Sequence, residues 1–347
     1  MFKKTMTSLV AATSLVFATV AHAGESINLY NWSDYIPPDL LKKFEKETGI
    51  KVNLDVFDSN ESLLAKLKAG AAGYDVVVPS DYMVKVMIDE KLLMKIDATK
   101  MSNWKGVQPM LQTPVFDAKR EYSVPYMWGT TGFTYDSARV PGGKLPDSWK
   151  SFFEPIPELK GQVVALNDMN DVYVAASLYL GTDQCTEDSK VGQRILDTLM
   201  KQKASLAMYN SDGVIERMQA KEVIMHQQWN GNAYRVKEKL KTAVYVVPKE
   251  GIPFWMDNLV IPAGAKNAEG AKKFVNWMMA PENIALASNF TGYNNGIKGA
   301  DKFMDKALSA DPAVNPSEEM KKRFVMNKIC STKAIELRNK VWTKLKS

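Results

Sequence analysis

The chain has 347 residues, a length that corresponds to about two domains of ordinary size. Hydrophobic residues make up 46% and charged residues 24%, a mixture typical of a globular protein rather than a disordered one. The formal net charge of +6 is small, and no block of Lys and Arg forms a basic surface, so we expect no nucleic-acid partner. The two histidines, His22 and His226, are too few to favour a histidine-based metal site or a His general base.

The first 23 residues have the pattern of a cleaved signal peptide. Lys3 and Lys4 form a positive region, residues 8–20 are apolar, and Ala21-His22-Ala23 matches the A-x-A cleavage signal. The apolar run is shorter than the roughly 20 residues that span a bilayer, so an N-terminal anchor or a core helix is the weaker interpretation. No Cys follows the cleavage site to carry a lipid, and no later apolar run is long enough to span a bilayer. We therefore expect a soluble protein secreted to the periplasm.

Strand and helix signals alternate along the first third of the mature chain. Strands are predicted at residues 27–32, 51–57 and 74–78. Helices are predicted at residues 39–48, 61–69 and 83–93. Gly49 ends the first helix, and Asp58 with Glu61 has the spacing of a capping box for the second. Strands that alternate with helices of this length indicate βαβ units and a parallel sheet.

The same alternation continues to the end of the chain. A strand-rich stretch at residues 122–135 is followed by strands predicted at 162–166, 223–226, 243–247 and 258–262. Helices are predicted at 172–180, 191–203, 268–279, 282–289 and 332–346, the last with Ser331 as its N-cap. Since no repeat or low-complexity linker interrupts the pattern, two α/β lobes crossed several times by the chain fit better than two domains in series.

The sequence lacks the short motifs of several enzyme classes. It contains no G-x-S-x-G, no G-x-x-x-x-G-K-[ST], no H-E-x-x-H and no G-x-G-x-x-G after a strand. His226, the histidine that follows the cleavage site, lies at a predicted strand end and is interpreted as a structural residue. Acidic residues are plentiful, so a periplasmic hydrolase with a carboxylate pair is kept as an alternative. We expect no enzyme activity, no cofactor and no metal site.

Aromatic residues beside carboxylates recur where predicted strands meet helices. These clusters are Trp32-Ser33-Asp34-Tyr35, Ser80-Asp81-Tyr82, Asp168 with Asp171, Trp229-Asn230-Gly231, Trp255-Met256-Asp257 and Tyr293. A single cluster has a plainer interpretation, a partly buried ring beside an Asp that caps a helix. Because ligands of open α/β sheets bind beyond the carboxyl ends of the strands, several such clusters together predict one shared site.

The residue types in these clusters suit a particular ligand chemistry. Carboxylates accept charge-assisted hydrogen bonds from ammonium groups, and the faces of Trp and Tyr attract cations and pack on methylene chains. A small ligand with cationic ends and an aliphatic middle, such as a linear diamine or polyamine, fits this mixture. Sugars also stack on aromatic rings, but they need fewer convergent acids.

Two segments of the chain have the most distinctive sequence patterns: LYNWSDYI at residues 29–36 and FWMD at residues 254–257. Supporting segments lie at residues 45–52, 57–61, 74–80, 125–132, 229–231, 248–251 and 261–263. Together they resemble the periplasmic polyamine-binding proteins of ABC importers, the spermidine/putrescine-binding type. The resemblance extends from about residue 27 to the end of the chain.

This resemblance implies an α/β fold of the periplasmic-binding-protein (venus-flytrap) type, with a ligand cleft between two lobes. Lobe 1 would hold residues 24–130 and 256–300, and lobe 2 would hold residues 131–255 and 301–347. The ligand-binding residues that it implies are Trp32, Ser33, Asp34, Tyr35, Ser80, Tyr82, Asp168, Asp171, Ser211, Trp229, Trp255, Asp257 and Tyr293. The aromatic residues would form a box around the ligand, the Asp residues would accept its amines, and the Ser residues would line the cleft.

The same resemblance implies a function in transport. The protein would be a monomer that captures putrescine and/or spermidine and delivers it to an inner-membrane ABC permease. The nearest alternative keeps the fold and changes the ligand to another small cation, an amino acid or an amino-acid derivative.

Two features refine these expectations. Two cysteines in an exported chain are compatible with a bridge or with two buried thiols. The resemblance places Cys185 and Cys330 in the same lobe, which favours a disulfide. The sequence departs from the family pattern at Asp171, where relatives carry Glu, at Asn232, where putrescine-preferring relatives can carry Asp, and near Met326, where the spermidine pattern has Gln. Because these departures point in opposite directions, we expect a receptor that takes both amines.

Overall fold

The computed structural model describes residues 25–70 and 73–347, so the predicted signal peptide, residues 1–23, lies outside the described residues. The strands are β1 Ser26–Trp32, β2 Lys51–Phe57, β3 Val76–Val77, β4 Ser123–Asp136, β5 Val163–Ala165, β6 Leu206–Tyr209, β7 Met225–Trp229, β8 Ala243–Val246, β9 Ile252–Val260, β10 Asn294–Asn295 and β11 Phe324–Met326. The helices are α1 Pro38–Thr48, α2 Asn60–Lys68, α3 Asp81–Asp89, α4 Lys150–Phe153, α5 Met169–Leu180, α6 Ser189–Lys203, α7 Val214–Gln219, α8 Asn230–Lys239, α9 Ala268–Met278, α10 Pro281–Thr291, α11 Lys306–Ala310, α12 Glu318–Lys321 and α13 Thr332–Lys346.

The first βαβ units follow the sequence prediction closely. β1 pairs in parallel with β2 and with β3, as alternating strands and helices require. α1 ends at Gly49, which has a left-handed φ of 75° and donates its backbone N–H to the Glu45 carbonyl at 2.8 Å. The last helix, α13, begins after Ser331, whose hydroxyl accepts a hydrogen bond from the Ala334 N–H at 3.2 Å. The predicted α/β class is confirmed.

Two local predictions are wrong. The N-cap of α2 is Ser59, which accepts a hydrogen bond from the Ser62 N–H at 3.2 Å, and Asp58 instead accepts one from the Ser62 hydroxyl at 3.0 Å. Asp58 and Glu61 therefore form no capping box. β9 begins at Ile252, six residues before the predicted strand, because its nine residues are all buried and give no alternating pattern.

The long strand β4 connects the two ends of the molecule. The strand order is β2-β1-β3-β9-β4-β7-β5-β6, with β8 and β10 paired to β4 and β11 paired to β9. Residues 123–130 of β4 pair antiparallel with β9, and residues 131–135 pair antiparallel with β7. The partner of β4 therefore changes between Thr130 and Thr131.

Buried side chains form two large clusters on either side of this change. The first core contains side chains from residues 27–128 and 254–300. The second core contains side chains from residues 133–246 together with Val341 and Leu345. A smaller cluster, which includes Met218 and Val236, packs α7 and α8 onto the sheet. The chain thus enters each core more than once.

A disulfide joins Cys185, in the segment after α5, to Cys330, in the segment after β11. It closes a covalent loop across a sequence separation of 145 residues. The helices of the described segments include none with the length and apolar character that a membrane crossing needs.

Candidate ligand-binding cleft

A cleft of about 1080 Å³, open to solvent, lies between the two cores. All thirteen residues that the sequence predicted for the site line it: Trp32, Ser33, Asp34, Tyr35, Ser80, Tyr82, Asp168, Asp171, Ser211, Trp229, Trp255, Asp257 and Tyr293. Sheet topology explains this convergence. β1 and β3 are parallel, so Trp32 and Ser80 lie at the carboxyl ends of neighbouring strands in one half of the sheet. β5 and β7 are also parallel, so Asp168 and Trp229 lie at the carboxyl ends of neighbouring strands in the other half.

Asp257 is a buried carboxylate with two hydroxyl donors. The Tyr35 hydroxyl donates to its Oδ2 at 2.6 Å, and the Ser80 hydroxyl donates to its Oδ1 at 2.6 Å. Ser80 is itself held by Asn60, which donates from Nδ2 to the Ser80 hydroxyl at 3.1 Å and accepts from the Ser80 N–H at 3.0 Å. Burial raises the pKa of Asp257 to about 6, although the two hydroxyl groups oppose the shift.

Trp255 and Asp257 lie two residues apart on β9, so both side chains point to the same face of the strand. The Trp255 ring packs edge-on against Tyr293, with the ring centroids 5.2 Å apart. Gly129 is the register partner of Trp255 on β4, and a Cβ there would lie 2.5 Å from the Trp255 ring. The missing side chain of Gly129 therefore allows this ring to lie flat against β4.

Asp171 is the second buried carboxylate of the cleft. Thr131 donates its hydroxyl to Oδ1 at 2.8 Å, and Trp229 donates its indole N–H to Oδ2 at 2.8 Å. Burial raises the pKa of Asp171 well above its usual range, and the neighbouring Asp168 carboxylate raises it further. Asp168 is the N-cap of α5 and accepts the Asp171 backbone N–H at 2.8 Å.

The remaining predicted residues hold more peripheral positions. Ser33 and Asp34 are exposed at the edge of the cleft, and Trp32 is half-buried with its indole N–H donated to the Val78 carbonyl at 2.8 Å. The Tyr82 hydroxyl donates to Glu61 at 3.2 Å. Ser211 accepts the Asn167 backbone N–H at 2.9 Å, so its hydroxyl fixes a loop as well as lining the cleft.

The site residues predicted from the sequence leave out several lining residues, and four of these are amides. Asn60, Asn170, Asn232 and Asn327 all line the cleft. The Tyr293 hydroxyl donates to Asn232 Oδ1 at 3.2 Å and so connects α8 with the segment after α10. Asn carries no charge and is common in helix caps and turns, so Asn60, Asn170 and Asn327 gave no distinct signal. Asn232 was noted only as a departure from the family pattern.

The expectation that Met326 lies beside the ligand is wrong. The Met326 side chain is 49% exposed and lies outside the cleft lining, whereas the next residue, Asn327, lies within it. Met326 is the last residue of β11 and Asn327 follows the strand, so the sequence assignment was displaced by one residue.

His226 is a structural residue of β7, as predicted. It is fully buried, and burial lowers its pKa to about 3, so the ring is neutral. Its Nδ1 lies 2.5 Å from the Gln227 carbonyl and its Nε2 lies 3.2 Å from Arg217.

The charge balance of the cleft favours a cationic ligand. The lining contains seven carboxylates within the described residues, namely Asp34, Asp58, Asp168, Asp171, Asp212, Glu216 and Asp257. Arg235 is the one basic side chain among the lining residues of the described chain. Buried carboxylates without a matching cation are unfavourable, and the raised pKa values of Asp171 and Asp257 reflect that cost. Aromatic rings complete the walls and supply surfaces for methylene groups and cations.

Fold and cleft together define a solute-binding protein. Residues 39–316 match the bacterial extracellular solute-binding proteins, and the chain belongs to that family. Among curated proteins, the putrescine-binding periplasmic protein SpuD of Pseudomonas aeruginosa is 36% identical over 100% of this chain and 98% of its own length. The spermidine/putrescine-binding periplasmic protein of Escherichia coli is 36% identical over 91% of each chain.

A solved structure leads to the same family. The spermidine/putrescine ABC transporter substrate-binding protein PotD from Streptococcus pneumoniae superposes with a TM-score of 0.78 at 30% sequence identity. The match covers 93% of this chain and 98% of that one. The sequence-based family assignment is thus confirmed.

Proposed function

We propose that this protein is a periplasmic receptor that binds putrescine and/or spermidine in the cleft and delivers the amine to an inner-membrane ABC permease. The observation that carries the proposal is the placement of two buried carboxylates, Asp171 and Asp257, among aromatic walls. The names of the relatives, which bind putrescine or spermidine, support the same ligand class.

Ligand binding would relieve the cost of burying these acids. Asp257 receives hydrogen bonds from neutral hydroxyl groups, and Asp171 receives them from a hydroxyl and an indole. An ammonium group would replace part of this neutral solvation by a charge-assisted hydrogen bond, worth about 1.5–3 kcal/mol. Trp32, Tyr82, Trp229, Trp255 and Tyr293 would enclose the methylene chain and the Asp residues would take the amines.

We further propose that two lobes close over the ligand. Lobe 1 would hold residues 24–130 and 256–300, and lobe 2 residues 131–255 and 301–347. The two hydrophobic cores and the change of β4 partner at Thr130 support a division into two lobes with a crossing at residue 130. The chain would act without catalysis, through binding, closure and docking on the permease. The protein would act as a monomer.

The proposal includes export through the predicted signal peptide, residues 1–23, and a periplasmic location. The periplasmic relatives support this location, and so does the Cys185–Cys330 disulfide, since such bonds persist in oxidising compartments.

A thermal-shift panel tests the ligand class. Putrescine, cadaverine, spermidine, agmatine, γ-aminobutyrate and basic amino acids would each be added to the purified mature protein. A ligand at 100 times its Kd should stabilise the protein by about 2.7 kcal/mol. A shift with amino acids alone would favour the alternative ligand class, and no shift with any amine would contradict the polyamine proposal.

A competition titration then tests dual specificity. We expect putrescine and spermidine to displace each other with Kd values within about 100-fold, because Asp34, Asp168, Asp171 and Asp257 offer acceptors for two or three amines. A preference above about 100-fold, equivalent to roughly 2.7 kcal/mol, would show a single-amine receptor instead.

A further inference from the structure

Arg338, on α13, carries a buried guanidinium that lies behind the wall of the cleft. Its side chain is 7% exposed and sits over the Tyr173 ring, with the guanidinium carbon 5.0 Å from the ring centroid. Its hydrogen-bond partners within the described chain are all neutral: Asn170 Oδ1 at 2.6 Å, the Gln184 carbonyl at 2.9 Å and the Cys330 sulfur at 3.3 Å. A buried cation that is hydrogen-bonded only to neutral groups is costly, and the nearby carboxylates of Asp168 and Glu61 offset part of that cost through space.

A chain of hydrogen bonds leads from this guanidinium to a buried carboxylate in the first core. Arg338 donates to Asn170 Oδ1, and Asn170 donates from Nδ2 to Asn327 Oδ1 at 3.2 Å. Asn327 then donates from Nδ2 to Asp81 Oδ1 at 3.0 Å. Asp81 is 3% exposed and begins α3. Asn170 and Asn327 line the cleft, whereas Arg338 and Asp81 lie outside its lining.

The guanidinium fixes the direction of this chain, because it only donates hydrogen bonds. Asn170 must therefore turn its oxygen toward Arg338 and its amino group toward Asn327 Oδ1. Asn327 is then left to turn its own amino group toward Asp81. Without a fixed end, each amide could rotate by half a turn and present the opposite atom to the ligand.

We propose that Arg338 is a positioning residue that orients Asn170 and Asn327 in the wall of the polyamine site. This inference rests on the function proposed above. The surroundings of Arg338 support it, because the Gln184 side chain also holds the segment that carries Asn327. Gln184 donates from Nε2 to the Met326 carbonyl at 3.0 Å and accepts from the Lys328 N–H at 3.3 Å. The disulfide between Cys185 and Cys330 fastens the same two segments.

A double-mutant cycle tests the role of Arg338. Arg338→Met, Asn327→Ala and the double variant would be titrated with putrescine and with spermidine by calorimetry. We expect Arg338→Met to weaken binding about tenfold in the presence of Asn327, and less than about twofold in the Asn327→Ala background, because the two act through one chain. If Arg338→Met reduced the amine affinity equally in the wild-type and Asn327→Ala backgrounds, the effect would be general destabilisation, and the proposal would be overturned.

Two further variants separate positioning from charge and folding. Lys340→Met removes a cation from an exposed position of the same helix and should leave binding unchanged. Arg338→Lys retains the positive charge on a single donor group, so it should bind the amines more tightly than Arg338→Met does. It also keeps the test usable if Arg338→Met folds poorly. If Lys340→Met weakens binding as much as Arg338→Met does, helix charge and not positioning is responsible.

A second readout is independent of any ligand. The Asn327 hydrogen bond lowers the pKa of Asp81, which burial raises to about 7. Loss of Arg338 should loosen Asn327, and the pKa of Asp81 should rise in a carbon-13 NMR titration of the ligand-free protein. An unchanged Asp81 pKa in Arg338→Met and Arg338→Lys would overturn the inference. If the wild-type protein bound no amine, the proposed function would fail, and this titration would still decide the role of Arg338.

Discussion

Gly231 and Tyr293 are in direct contact across the cleft, and a Cβ added at Gly231 would lie 2.5 Å from the Tyr293 ring. Gly231 lies in the first turn of α8, which packs in the smaller cluster, whereas Tyr293 belongs to the first core. The Gly231 carbonyl also approaches Gly292, at 2.7 Å from the position of an added Cβ there. The contact joins the start of α8 to the segment after α10.

We predict that Gly231→Ala weakens polyamine binding by about 1–3 kcal/mol, the usual cost of overpacking. The Cβ would collide with the Tyr293 ring. The same overlap should lower the stability of the protein without ligand, offset in part because Ala favours a helix over Gly. Calorimetry gives the Kd and thermal melting gives the stability. Gly264→Ala is the matched control, since an added Cβ there has no neighbour within 4 Å among the described residues. Unchanged binding in Gly231→Ala would show that closure does not use this contact.

We predict that Asp257→Asn weakens binding of the best amine by about 1.5–3 kcal/mol, the value of one hydrogen bond to a charged group. The amide keeps the shape of the side chain and removes its charge. Asp39→Asn, at an exposed position of α1, should leave the Kd unchanged. An Asp257→Asn protein with wild-type affinity would remove Asp257 from the site.

Binding should strengthen as the pH rises through about 6. Burial raises the pKa of Asp257 to about 6 in the empty cleft, and an ammonium group would lower it, so binding releases a proton in this range. Below pH 6 the Kd should increase by up to about tenfold per pH unit for each proton released. Calorimetry in buffers of different ionisation enthalpy measures that proton directly. A Kd that stays constant between pH 5 and pH 8 would contradict the assignment.

The ligand-free protein should show the opposite dependence. An Asp with a pKa of about 6 in the folded state and about 3.9 in the unfolded state binds more protons when folded. The stability that Asp257 contributes is therefore present at pH 4 and is lost as the pH rises through 6. Relative to the wild type, Asp257→Asn should gain unfolding free energy between pH 5 and pH 8, which denaturant titrations would measure. If the difference in unfolding free energy between the two proteins stayed constant over this pH range, the pKa of Asp257 would not be raised in the folded state.

The two tryptophans of the cleft should respond differently to truncation. Trp32 is half-buried, so Trp32→Ala should weaken amine binding with a modest loss of stability. Trp255 is 8% exposed and packs on Tyr293, so Trp255→Ala should also destabilise the ligand-free protein by about 3–5 kcal/mol. Melting curves and titrations of both variants separate the two effects. Equal losses of stability would place Trp32 in the core rather than in the binding wall.

Local sequence patterns were sufficient for much of the fold. The alternation in residues 51–57 and the Gly at position 49 act within one or two turns of the chain, so β2 and the end of α1 were predicted correctly. β9 and β11 were not, because a fully buried strand lacks alternation and a strand of three residues is too short to show it.

The sequence by itself determined the chemistry of the cleft, since the charge of Asp257 and the rings of Trp32 and Trp255 are properties of the residues wherever they lie. Only the tertiary structure decided which groups hold them: Tyr35 and Asp257 are 222 positions apart in the chain, and Asp81 meets Asn327 across 246. Such pairs form when strands from distant segments meet at one edge, and no local pattern records them. For the same reason Asn327, and not Met326, lines the cleft: the pairing of β11 with β9 ends at Met326, and Asn327 follows it.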